Sequence, residues 1–213
     1  MMFNPLLKNL NPMPATQTLP PDFHSIGTFD LKNNPQALLQ LNVLGFVLFA
    51  ISAALFWYAL QIIRPIEAQN GLTFSFSNMS GIVQAILAVI AITVFMIVLH
   101  EAAHGLFFWL FTRSRPKFAF RGAYAYAAAP TWYIPKGQYL VVALAPLVLL
   151  SLLGLALMAI IPAGGFILLL LFLVTNASGA IGDLWVVGWL LRQSAPCYAL
   201  DKGDAVTLYV QNR

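Results

Sequence analysis

Four long apolar runs, at residues 41–63, 81–111, 139–161 and 165–191, decide what this chain can become. Each exceeds the roughly 20 residues that a helix needs to cross the hydrocarbon of a bilayer. With 60% hydrophobic and 8% charged residues in 213, the chain has too little polar surface to cover them in water. The expected fold is therefore mainly α: a polytopic membrane protein with four transmembrane helices and a short cytosolic-side β hairpin or strand between helices two and three. Residues 1–40 read as a cytosolic N-terminal tail, 41–191 as a four-helix membrane domain, and 192–213 as a cytosolic C-terminal tail. The turn at 162–164 is short, which makes helices three and four antiparallel neighbours.

Polar residues inside these runs are few, so each one is informative. The chain has three histidines, and two of them stand in Val98-Leu99-His100-Glu101-Ala102-Ala103-His104-Gly105. On a helix His100 and His104 lie one turn apart on one face, spaced so that two imidazole nitrogens can grip one metal ion. Glu101 falls on the flank of that face, within reach of a water at the metal without being a ligand. Between Glu67 and Asp201 the acidic residues are Glu101 and Asp183.

A catalytic zinc site takes three protein ligands, and depth selects the third. Helix two meets its first charge at Arg113, nine residues after His104, and helix four meets Arg192, nine residues after Asp183. At 1.5 Å per residue both points lie about 13 Å below their charged ends. Asp183 is thus level with the histidines, where an unpaired carboxylate would cost about 2.5–3.5 kcal/mol and coordination would offset that cost. Asn176 shares a helical face with Asp183 at two-turn separation and suits a contact that orients a ligand or meets a substrate carbonyl. Ser178, Gly179 and Gly182 read as a packing seam. His24 reads as a surface histidine, and Cys197 as a small residue near a helix end.

Ten basic residues fall in the two tails and the 112–137 loop, against Arg64 alone on the other side. The positive-inside rule then puts both termini and that loop in the cytosol, and the expected location is the plasma membrane. The basic residues flank apolar runs rather than forming a stripe, so nucleic acid is not an expected partner. The lipid bilayer is one. In the loop, Phe118, Phe120, Tyr124 and Tyr126 alternate with small or polar residues around Arg121-Gly122. The pattern predicts a strand or hairpin with one aromatic face, either an interfacial aromatic belt or an edge that captures an extended peptide. The N-terminal tail, with five prolines before residue 22, reads as irregular, its Phe3, Leu6, Leu7 and Leu10 resting on the membrane. Asn34-Pro35 marks a helix start. Asp201 and Asp204 read as solvated turn residues before a strand at 205–210.

On His100, Glu101, His104 and the distant Asp183, the chain resembles membrane zincin peptidases of the site-2 protease type, and most closely a family of small bacterial zincin peptidases. The resemblance covers roughly residues 80–195. It implies one zinc per chain held by His100, His104 and Asp183, Glu101 as general base, and a membrane protein or peptide as substrate. The site-2 protease pattern also has a proline between its asparagine and aspartate and a glycine after the aspartate; here that proline is missing and Leu184 follows Asp183. Two non-enzymatic alternatives fit the composition: a metal or proton transporter, and an inactive protease-like scaffold.

Overall fold

The computed structural model describes residues 13–69, 78–122 and 124–212. The described residues are mainly helical, with four helical segments among them long and apolar enough to cross a membrane. Helix α1 (Pro35–Ile63) starts where the sequence places it: the Asn34 side chain accepts a hydrogen bond from the Ala37 amide at 3.0 Å, and Pro35 occupies the first turn. A short helix α2 (Pro65–Gln69) follows. Helix α3 (Met79–Thr112) carries the histidine motif in its last third, and is capped by Asn78 at one end and by Arg113, in the left-handed region, at the other.

After α3 come strands β2 (Lys117–Phe120), β3 (Ala125–Ala128) and β4 (Tyr133–Pro135), and then helix α4 (Lys136–Met158). The fourth apolar run is not the single helix its hydropathy suggests. It opens with a 3-10 turn at Ala163–Gly165, continues as α5 (Phe166–Gly179), breaks at Ala180 and resumes as α6 (Ile181–Leu191). The cause is local: Ser178, Gly179 and Gly182 bracket the break, and such residues weaken a helix interior.

Helix α5 is central and packs against α1, α3 and α4. The outer helices α1 and α3 turn large apolar side chains outward, among them Phe46, Ile62, Ile90 and Val98. That is the expected surface of a chain whose solvent is lipid. At the end of the bundle away from the strands, Arg64 pairs with Glu67 and donates to the carbonyls of Ala159 and Ile161, each at 3.2 Å. The lone basic residue of that side thereby ties α1 and α2 to the α4–α5 turn.

The two tails prove to be one structure. Strand β1 (Phe23–Asp30) runs antiparallel to β6 (Ala205–Gln211), which pairs with β5 (Cys197–Asp201), which pairs with β4. The irregular reading of the N-terminal tail is therefore corrected for residues 23–30. The strand at 205–210 is present as part of β6. Cys197 is a fully buried residue of strand β5, not at a helix end, whereas His24 lies exposed on β1. The readings of Phe3, Leu6, Leu7 and Leu10 fall outside the described residues.

This topology puts the end of α2 and the start of β5 at opposite ends of the bundle. Single cysteines at Gln69 and Ser194, both exposed, should react with a membrane-impermeant thiol reagent from opposite faces of sealed vesicles, while the buried Cys197 stays protected. Labelling of both from the same face would contradict the four-span arrangement.

Candidate metal centre

The motif helix, the proline-containing α4 and the broken α5–α6 meet at one point. Nε2 of His100 lies 3.3 Å from Oδ2 of Asp183, and Nε2 of His104 lies 3.4 Å from the same oxygen. The three residues form a group whose ligand atoms all lie within 4.8 Å of one another, able to hold a metal ion. The break at Ala180 matters here, because it puts Asp183 in the first turn of α6. Unpaired amides at a helix N-terminus favour a negative charge.

The far side of each imidazole is fixed as well. His100 Nδ1–H donates to Oδ1 of Asn176 at 3.0 Å, and His104 Nδ1–H donates to the Val142 carbonyl at 2.9 Å. With Nδ1 carrying the proton in both rings, both Nε2 lone pairs are turned toward Asp183. The Asn176 amide has its own anchor: its Nδ2 donates to the Pro146 carbonyl at 3.3 Å. A carbonyl can only accept, so this contact sets which end of the amide faces His100. Asn176 has no exposed surface.

Two imidazole nitrogens and a carboxylate oxygen thus converge, and with both rings neutral all three offer lone pairs to one point. A cation satisfies all three at once, and an N2O donor set is the chemistry zinc accepts at a catalytic site. Glu101 is off this cluster. One of its carboxylate oxygens is buried without a protein partner, and the residue lines a cavity of about 900 Å3 that also exposes His100, His104 and Asp183.

The aromatic hairpin lies beside this cavity but not as the sequence suggests. The register pairs Phe118 with Ala127, Ala119 with Tyr126 and Phe120 with Ala125. Even positions of β2 therefore face odd positions of β3, so Phe118 and Phe120 lie on one face of the ribbon and Tyr126 on the other. The single aromatic face is corrected: the turn between Arg121 and Tyr124 shifts the alternation by one. Each face still has a partner. Phe118 packs on α3 where Gly105 leaves room, since a Cβ there would come within 2.4 Å of its ring. Tyr126 lies against Gly203, whose φ of +88° and ring contact both exclude a side chain. Phe120, Tyr124 and Tyr126 line the cavity.

The two C-terminal aspartates are not solvated turn residues. Asp204 accepts from the Tyr124 hydroxyl at 2.8 Å and from Arg121 at 3.0 Å, locking the hairpin to the β5–β6 turn. Asp201 is buried on the cavity wall, where it accepts from the Tyr139 hydroxyl at 2.6 Å and the Gly203 amide at 2.7 Å. Tyr139, Val142, Pro146 and Asp201 escape a sequence reading; a lone proline deep in an apolar helix was the one available signal.

Burial raises the Asp201 carboxyl from 3.8 to about 6, although its hydrogen bonds pull the other way. The folded state then holds the proton more tightly than the unfolded chain. The stabilisation is complete below about pH 4 and is lost as pH rises through about 6, a change of about 3 kcal/mol. Asp201→Asn should therefore gain stability relative to the parent between pH 4 and pH 7, as read by the difference in melting temperature. A difference that does not move with pH would contradict the burial effect.

Residues 93–198 match the model of a family described as "Putative zincin peptidase". No curated protein and no solved structure matches the chain. The matched segment runs from within α3 into β5 and contains His100, Glu101, His104, Asn176 and Asp183. Over that segment, just under half of its length, the chain is similar to the members of this family.

Proposed function

We propose that the protein is a zinc-dependent intramembrane peptidase that cuts peptide bonds at membrane depth, near the basic end of the helix bundle. The observation that carries this reading is the convergence of His100, His104 and Asp183 beside a buried, unpartnered Glu101 oxygen. His100, His104 and Asp183 would hold one zinc ion. Zinc bound there would polarise a scissile carbonyl and make a nearby water acidic enough to attack at neutral pH.

The remaining steps belong to the chain. Glu101 accepts the proton of the attacking water as the new C–O bond forms, and delivers it to the amine as the C–N bond breaks. Asn176 and the Val142 carbonyl keep the imidazoles aimed throughout. Strand β2 pairs with β3 on one side only among the described residues. Its other edge can receive an extended peptide by main-chain hydrogen bonds. Such a substrate is a membrane protein or peptide whose helix has locally unwound, because an intact helix hides its carbonyls. The basic residues around the hairpin and sheet support a cytosolic location for both termini, in the plasma membrane.

A transporter needs a polar path through the whole membrane. Here the half of the bundle away from the site packs Leu60, Met158, Phe166 and Leu173, all at most 1% exposed. That dry plug supports a one-sided site.

Three variants test the reading in purified protein, with zinc content and cleavage of reconstituted transmembrane peptides measured side by side. Glu101→Gln should keep zinc near one per chain but slow cleavage by about 10²-fold or more, since an amide cannot take the proton. Asp183→Ala should lose both zinc and activity. Ala125→Pro, which removes an amide from the hairpin, should slow cleavage with zinc retained. If Glu101→Gln loses zinc while Asp183→Ala keeps it, the two carboxylates have been assigned the wrong way round.

A further inference from the structure

Val142 and Pro146 are four residues apart on α4. In a regular helix the amide of residue 146 would donate to the carbonyl of residue 142. Proline has no amide hydrogen, and its ring crowds that same carbonyl. The freed carbonyl is the one that accepts from His104 Nδ1. The carbonyl of Pro146 itself accepts from Asn176, whose other end holds His100. Both histidines are therefore oriented through a single buried proline, which is less than 2% exposed.

We propose that Pro146 is a positioning residue for the metal centre: by withholding one hydrogen bond from α4 it supplies the acceptor that aims His104, and its carbonyl sets the amide that aims His100. The inference rests on the zinc reading above. Helix α4 would gain an internal hydrogen bond from any other residue at 146, so a proline there works against the helix and in favour of the site. Membrane helices tolerate proline where neighbouring groups satisfy the freed carbonyl, and His104 is that neighbour. An alanine at 146 would return an amide to compete for Val142, leaving His104 Nδ1–H without its full partner and its ring free to turn.

Pro146→Ala is the direct test, read by zinc affinity against a competing chelator and by the visible absorption spectrum of the cobalt-substituted protein. The variant should bind zinc about 10–100-fold more weakly than the parent and show an altered cobalt spectrum. The melting temperature of its metal-free form should be unchanged or higher, because the helix is repaired. Leu150→Ala, one turn further along α4 in the buried core, controls for packing: it should lower the melting temperature and leave zinc affinity within about twofold. Equal zinc affinity and an identical cobalt spectrum in parent and Pro146→Ala would overturn the proposal. So would a loss of affinity matched by Leu150→Ala or accompanied by a lower melting temperature. A parent that binds no zinc would instead overturn the peptidase reading on which the proposal rests.

Discussion

Three electron-pair donors held face to face govern this structure. With both rings neutral, the Nε2 lone pairs of His100 and His104 face the Oδ2 of Asp183, a conflict that a cation among them, a metal ion or a proton on an imidazole, relieves. Keeping them together takes contributions from three helices. The proline-containing α4 gives a carbonyl to His104, the amide of Asn176 on α5 braces His100, and the break at Ala180 offers Asp183 a helix N-terminus. Each contribution departs from regular helix geometry or places a polar group in an apolar core. Such departures are expected where a site, rather than the fold, sets the local requirement.

The same reasoning explains how much was legible beforehand. Composition and run length suffice for four spans, because a bilayer punishes polar interruptions severely. Scarcity makes His100, Glu101, His104 and Asp183 stand out, and counting residues to the nearest charge places Asp183 level with the histidines. Their meeting at 3.3–3.4 Å agrees with that count.

What stayed hidden depends on contacts between distant residues. Strand β1 finds β6 about 180 residues away, and neither has a local pattern that names its partner. The hairpin faces were misread because alternation along each strand does not specify the register across the turn. The part played by Pro146 is invisible in sequence, since a membrane-helix proline carries no mark of which neighbour will use the freed carbonyl.

The hairpin joins the motif helix to the sheet. Phe118 over Gly105 holds it to the motif helix, while Tyr124, Arg121 and Tyr126 hold it to the β5–β6 turn. The sheet made from the two tails is thus mechanically linked to the cavity wall. Asp201, on that wall, bonds Tyr139 of the helix that also supplies Val142 and Pro146. A peptide adding to the β2 edge would sit on a ribbon clamped at both faces, close to Glu101.

X-ray absorption at the zinc edge of the purified protein tests the central claim most directly. The account predicts two imidazole nitrogens at about 2.0–2.1 Å and carboxylate or water oxygen at about 2.0–2.2 Å, with one imidazole contribution lost in His104→Ala. A sulfur shell near 2.3 Å, or a zinc signal unaltered in that variant, would contradict it.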